Sequence, residues 1–500
     1  MLDTVFWEVK PMIKTSQSIL RILIALIILC LMTRANSEEF LEEKKNAVEW
    51  IDTHKVMLTE LSDKIWEFAE LPMLEYKSSR LLADALEKLG FHVDRGVAGM
   101  PTAFVATYGE GKPEIGFLAE YDALPQLSQK AVPYQESLIE GEAGHGCGHN
   151  LLGVGGTAAA MAVKHVMALH KLKGTVKLFG CPNEENDIGK VFMAKEGLFN
   201  SLSVALDWHP ASVTAVALSG SHAIHNFLVT FTGKTAHAGG DPWDGKSALD
   251  GVEIMNIAVN YLREHVLPTV RIQYAVIDGG KVPNVVPAKA TAWYNCRDVT
   301  LEGSEKVLER IKKIAEAAAI ATDTQVEVKM LTAIHELLVL PESSAILQNN
   351  LEWVGPPEFT DDDIAFAHQV QQELGIPERG LHDGILPFRV PEGGFGGGGT
   401  DVAEVSWNAP TLRMVAACHP IGSPGHSWAI VCTGKTPIGH KGMLTAAKTM
   451  AATGIELMSN PETLASVRAE WKKLTKDRPY KSPLPPDAKP PVVPEPKEKN

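Results

Sequence analysis

The sequence lacks any excess of positive charge. Its 47 Lys and Arg face 61 Asp and Glu, a formal net charge of −14 over 500 residues. No basic stripe interrupts that balance. Phosphate binding needs clustered cations, so nucleic acid is not an expected partner. Cysteine is also scarce. Beyond Cys30 there are five, at 147, 181, 296, 418 and 432. An odd number spread over so long a chain does not read as a disulfide framework. The Gly-rich stretch "PEGGFGGGGTDVAEVSW" (391–407) is read as a loop ahead of a strand, and no Lys-Ser/Thr pair follows it. That excludes a phosphate loop. The N-terminal apolar run "RILIALIILCLM" (21–32) falls short of the about 20 residues a spanning helix needs. Lys14 and Arg21 precede it, and the small residues Ala35 and Ser37 follow. A charged start, a short apolar middle and small residues form the order of a secretory signal. Residues 1–37 are therefore expected to be a cleaved signal peptide, in preference to a membrane anchor. The mature protein is then exported, periplasmic or secreted.

What remains is ordinary globular material, 45% hydrophobic and 22% charged. Five hundred residues are too many for one simple core, so more than one domain is expected. Helical spacing runs from Glu39 to about Leu89, with Gly90 placed as a C-cap. Short β-like runs then alternate with helices: "TAFVATYG", "EIGFLAEYDALP", the small-residue helix "TAAAMAVKHVMALHKL", "GTVKLFGCPNEEN" and "SVALDWHP". That alternation predicts an α/β domain with a mostly parallel sheet. Around Ser219 the texture changes to a compact α+β unit, with strands at "HAIHNFLVTFTG", "VRIQYAVIDGG", "ATAWYNCRD" and "TQVEVKM". The predicted organisation is a first α/β part at 38–217, an inserted α+β unit at 218–340, a second α/β part at 341–476, and a disordered Pro- and Lys-rich tail at 477–500.

Groups that bind divalent transition metals recur where the predicted strands end. They are Asp122 in "AEYDALP", Cys147 and His149 in "GHGCGHN", Glu184 and Glu185 in "PNEEN", and His209 in "DWHP". Each alone has an ordinary reading as a surface or packing residue. Cys147 and His149 are two apart in a Gly-rich stretch read as extended, which lets both face one side. Adjacent carboxylates can divide labour, one holding metal and one moving a proton. A Cys147–His149 nucleophile pair is the rival reading. It leaves the glutamate pair and His209 without a role.

These motifs, together with "GKTAHAGGDPWDGKSALD", "GGKVPNVVPAKATAWYNCRD" and "PGHSW", follow the motif order of the M20 metallopeptidase/amidohydrolase family. The resemblance covers about Glu39 to Asp477. It is strongest to the aminoacyl-amidohydrolase branch, and within it to the subgroup acting on p-aminobenzoyl-glutamate. It implies two divalent ions, zinc or manganese, held by Cys147, His149, Glu185, His209 and His426, with His419 a neighbouring rival for the last place. It implies Glu184 as general base and Asp122 as the group orienting a ligand histidine. His145 is left as an orienting or structural residue. The inserted unit, ferredoxin-like, resembles the family's dimerisation domain and lid. Its His237 would polarise the scissile carbonyl in a partner's site. Asn284 resembles a substrate contact. Arg297 would hold a substrate carboxylate or form a structural ion pair. Asn150 and Asn183 stand where the widespread form has other residues, and both resemble the aminobenzoyl-glutamate subgroup. The implied activity is hydrolysis of an N-acyl amino acid such as p-aminobenzoyl-glutamate or a related folate fragment. The alternatives are an exported dipeptidase or aminoacylase of the same mechanism, and a non-catalytic, metal-stabilised binding subunit. A homodimer through the insert is implied, with room for a second type of hydrolase subunit.

Overall fold

The computed structural model describes residues 40–391 and 398–496. The signal-peptide reading of 1–37 lies outside those residues, as do positions 392–397 of the Gly-rich stretch. Three N-terminal helices, α1 (Leu41–Thr53), α2 (Lys55–Phe68) and α3 (Tyr76–Lys88), lead into strands β1 (His92–Arg95), β2 (Phe104–Glu110) and β3 (Glu114–Glu120). Helix α4 (His149–His170) and strand β4 (Gly174–Cys181) follow, then helix α5 (Gly189–Lys195) and strands β5 (Val204–Ala211) and β6 (Ala215–Val216). After the insert come α8 (Pro341–Val354), α9 (Asp361–Glu373), α10 (Val402–Asn408), β11 (Thr411–Ala417), α11 (Trp428–Thr433), α12 (Pro437–Ser459) and α13 (Pro461–Thr475).

The larger sheet has seven strands in the order β1-β2-β4-β3-β5-β11-β6. Its centre, β4-β3-β5-β11, is parallel. Its flanks, β1-β2, β2-β4 and β11-β6, are antiparallel. The mostly parallel sheet expected from the sequence is thus a mixed one. A parallel strand must return across a helix, and the short connections around β2 and β6 leave no space for one. The parallel centre matters most, because the carboxyl ends of β3, β4 and β5 all meet at one edge.

Helix α4 lies directly on that centre. Its small residues permit the close approach: a Cβ on Gly156 would sit 2.1 Å from the Leu118 carbonyl oxygen. Gly155 likewise faces the buried indole of Trp208. Among the described residues α4 is the one helix long and apolar enough to cross a membrane, but it is buried inside the protein. It forms the main core with Phe117, Leu178, Leu206 and Met450.

The inserted unit contributes β7 (Ala223–Thr232), α6 (Ala248–Leu262), β8 (Arg271–Asp278), β9 (Lys289–Asp298), α7 (Leu301–Ala321) and β10 (Gln325–Ile334). Its four strands are antiparallel, in the order β10-β7-β9-β8. Both helices pack on the sheet around Phe227, Phe231 and Tyr294. This is the βαββαβ order of a ferredoxin-like unit. Its two connections to the α/β domain are tied to one short stretch. His222 donates its backbone N–H to the Gly398 carbonyl at 2.9 Å. His335 places both its backbone nitrogen and its Nδ1 2.8 Å from Glu404 Oε1.

Two local expectations need correction. The residues after the glycines, 402–408, form a helix, and the strand begins only at Thr411. The backbone breaks at Ala409 and Pro410, where proline's missing N–H ends a helix. The tail after Asp477 is ordered as far as residue 496. Arg478 pairs with Glu336 and covers Trp407. Tyr480 donates to Glu404, Leu484 is buried in a cluster with Met100, Phe179 and Phe192, and Tyr76 donates to the Val493 carbonyl. Proline-rich composition suggested disorder. The half-buried Tyr480 and the buried Leu484 supply the apolar contact that such a composition usually lacks.

Candidate metal centre

Strand β3 ends with Glu120 pointing into the protein, and Asp122 lies two residues on. Helix α4 begins at His149, with Gly148 in the left-handed region (φ 76°) as its N-cap. Cys147 and His149 are thus joined by a turn, not by the extended stretch expected from the glycines. The turn still brings them together. Both side chains meet His209 from the end of β5 and the glutamate pair from the loop after β4. Among the described residues, three groups of ligand atoms lie within 4.8 Å of one another: Cys147/His149/His209, Cys147/Glu185/His426 and Glu120/His149/Glu184.

Asp122 fixes two of these residues at once. Its Oδ1 lies 2.9 Å from His149 Nδ1, and its Oδ2 accepts from the Glu185 backbone at 3.0 Å. A histidine held at one nitrogen presents the other to a metal. His149 Nε2 is buried and has no hydrogen-bond partner, and neither has Glu185 Oε1. The nearest carboxylate oxygens to that Nε2 are Glu120 at 3.4 Å and Glu184 at 3.8 Å. His209 has its Nδ1 2.7 Å from the Pro210 carbonyl, leaving Nε2 3.4 Å from Cys147 Sγ. Burial, and then the charge on His149, lower the His209 pKa to about 4, so its ring is neutral. His426 sits at φ 52° with its Nε2 3.5 Å from Glu185 Oε2. His419 is buried and joins none of the three groups. His145 is tied to the Ile65 carbonyl and also joins none.

The electrostatics show a surplus of negative charge. Burial, reinforced by Glu120, raises the Glu184 pKa well above the usual carboxylate range. Burial raises Glu185 to about 7, with His149 partly opposing and Asp122 adding to the rise. Burial disfavours the imidazolium of His149, but Cys147 and Asp122 outweigh it and raise that pKa. Carboxylates crowded in this way take up protons or cations. Orphaned buried atoms on His149 and Glu185, a neutral His209 and a thiol are a donor set that suits divalent zinc-like metals.

Two of the residues expected to contact substrate lie elsewhere. His237 and Asn284 are neighbours on two paired loops of the insert, joined by the His237–Val285 bridge and by Ala238 N–H to the Asn284 carbonyl. Both are exposed, and no hydrogen bond or ion pair joins either to the metal groups among the described residues. His237 Nδ1 accepts from the N–H groups of Gly239 and Gly240, which leaves Nε2 as its donor. Arg297 donates to Asn295 from β9 and lies near enough to Asp187, beside the glutamate pair, to lower that carboxyl's burial-raised pKa.

Comparison with known proteins places this arrangement. Residues 220–323 match the M20 peptidase dimerisation domain. The chain is 37% identical to a subunit of p-aminobenzoyl-glutamate hydrolase from Escherichia coli, over 88% of this chain and 97% of that one. The chain belongs to the M20 family. It is a hydrolase of amide bonds, as M20 amidohydrolases are. A mouse Xaa-Arg dipeptidase is 28% identical over 86% of this chain and 92% of its own length. The same fold occurs in an aminobenzoyl-glutamate utilization protein from Klebsiella pneumoniae (TM-score 0.56, 17% identity, 81% of this chain and 97% of that one). It occurs also in a dinuclear metal binding M20 peptidase from Bacillus subtilis (TM-score 0.51, 18% identity, 81% of this chain and 99% of that one).

Within this M20 chain, sequence reasoning missed Glu120, Lys190, Asp401 and Glu75. Glu120 shares the "AEYDALP" motif with Asp122, two residues on, so the alternation of side chains along an extended stretch could have found it. Glu75 accepts from the backbones of Met73 and Asn183 and from Thr102. It therefore braces the loop ahead of the glutamate pair. Nothing local in the sequence signals that. Asn150 donates to Ser62 and to the Gly434 carbonyl. An aspartate there could not make the second bond.

Proposed function

We propose that the protein is an exported, two-metal amidohydrolase that splits an N-acyl amino acid, with p-aminobenzoyl-glutamate or a related folate fragment as substrate. The observation that carries this is the sharing of Cys147 between two ligand groups, with His149 and His209 on one side and Glu185 and His426 on the other. Two divalent ions, zinc or manganese, would be held there. Bound ions would lower the pKa of a water and polarise an amide carbonyl. The 37% identity to a p-aminobenzoyl-glutamate hydrolase component supports the substrate.

This chain's own residues would do the rest. Glu184 accepts the proton of the attacking water and returns it to the leaving amine. Its carboxylate lies 3.8 Å from His149 Nε2, beside the ligand groups and largely shielded from bulk water. Asp122 holds His149 and the Glu185 backbone in place. His237 donates from Nε2 to the carbonyl oxygen as charge develops, acting in the site of a second copy. Asn284 lies beside it to contact substrate, and Arg297 takes the substrate carboxylate.

A homodimer through the insert is supported by the exposed apolar side chains there. Ile254, Ile257 and Tyr261 lie on α6, and Val276 and Ile277 lie on the edge strand β8. The test is metal analysis of the purified protein with glutamate release from p-aminobenzoyl-glutamate, followed by a panel of N-acyl amino acids and dipeptides. Two metals with glutamate release are expected. Preference for dipeptides would reassign the substrate. Two metals with no turnover of any of these would point to a binding subunit.

A further inference from the structure

The third ligand group, Glu120/His149/Glu184, competes with the other two. A divalent ion seated there would draw on His149 and capture Glu184, the proton carrier. Lys190 stands against this. It is the second residue of α5, immediately after the loop that carries the glutamate pair. The chain turns so tightly there that a Cβ on Gly189 would lie 1.9 Å from the Pro182 carbonyl oxygen. The turn drives Lys190 beneath the metal groups, where its side chain is fully buried. Its ammonium lies 2.6 Å from Glu120 Oε1 and 2.5 Å from Asp401 Oδ1, and its backbone N–H donates to Asp401 Oδ2 at 2.8 Å. A lysine is tolerated at such depth only when paired, and here two carboxylates pair it.

We infer that Lys190 is a positioning residue that fills the cation place beside Glu120, keeps divalent metal off the Glu120/His149/Glu184 group, and so leaves Glu184 free to move protons. This rests on the proposed two-metal reading. A dication next to a fixed ammonium is repelled, and the low polarity around buried groups strengthens that repulsion. Lys190 thereby directs the metals to the two groups built on Cys147. Asp401 holds the ammonium from its other side, so the lysine cannot swing away.

The test uses the full chain loaded with cobalt(II). The measurements are ions bound per chain by mass spectrometry, the visible cobalt spectrum, and kcat and KM on the amide the wild type turns over. In Lys190→Met, cobalt is expected to spread onto Glu120 and Glu184. A third ion or an altered spectrum should appear, and kcat should fall by about 100-fold with little change in KM. Adding Glu120→Gln removes the stray ligand. The double variant K190M/E120Q should return to two ions and regain about tenfold in kcat over K190M. A merely structural lysine would give a double variant no better than the single one. Glu120→Gln alone leaves Lys190 paired with Asp401, and it bears on the inference even if K190M does not fold. It should keep two ions. Loss of one would make Glu120 a ligand and overturn the inference. So would K190M with two ions, an unchanged spectrum and unchanged kcat. A wild type that binds no cobalt or cleaves no amide would instead defeat the two-metal reading itself.

Discussion

The seven-stranded sheet buries Glu120, Asp122 and Asp207, with His149 and Lys190 packed over them. The four-stranded sheet also buries polar groups, but each of these has a protein partner. His225 meets Ser304, Asn256 accepts from Tyr294, and Asp298 accepts from Thr269 and the Val299 backbone. In the larger sheet's site, His149 Nε2 and Glu185 Oε1 have none. Outside, the contrast reverses. The insert leaves Trp243, Ile257, Tyr261 and Leu267 more than half exposed. One sheet has unspent polarity on its inside, which calls for a small charged ligand. The other has unspent apolar surface on its outside, which calls for another protein.

Removing the proposed proton carrier should break the comparison most sharply. Glu184→Gln is expected to cost about 10²- to 10⁴-fold in kcat while both metals stay bound. Metal loss with turnover loss would make Glu184 a ligand. Chelation comes next. It should abolish turnover and lower the melting temperature, since a ligand at 100 times its Kd stabilises the folded state by about 2.7 kcal/mol. Re-addition of zinc or manganese should restore both. A chelated protein with an unchanged melting temperature would show that the orphaned atoms need no ion.

Ile257→Asp with Tyr261→Asp tests the insert. The double variant should run as a monomer in light scattering. Turnover should drop, since the proposed reach of His237 into the site of a second copy depends on that contact. Metal content should not change. The smallest effect belongs to the far end of β3. Burial pushes the Glu114 carboxyl up, but Lys177, Ser201 and Lys112 outweigh it and bring it from 4.5 to about 2. A lowered folded-state value means stability that is present above pH 4.5 and lost as pH falls toward 2. Solvent screens these pairs in part, so Glu114→Gln should cost on the order of 1 kcal/mol at neutral pH and flatten the acid limb of a denaturation series. Activity at neutral pH should hold.

The parts of the molecule that repeat a local pattern were legible in the sequence. Helix α4 announced itself through its small residues, and the insert's strands through alternation. The residues of the Cys147 groups lie in short, polar, glycine-flanked motifs at strand ends, where little else explains them. The flanking strands of the larger sheet were not legible, because direction is set by connection length and not by composition. Lys190 and Asp401 were invisible for another reason. They are 211 residues apart, and only folding brings them to the same carboxylate. The tail misled because its proline content hides two anchoring side chains.

The two connections to the insert end on the same few residues. The incoming strand is fastened at Gly398 and the outgoing one at Glu404, and Glu404 also holds Tyr480 of the tail. A door hung on two separate hinges can sag at one of them. Here both hinge pins share a single plate, and that plate also carries Asp401. Any swing of the insert must strain both pins together, and it pulls on the same short segment that steadies the ammonium beneath the metal groups.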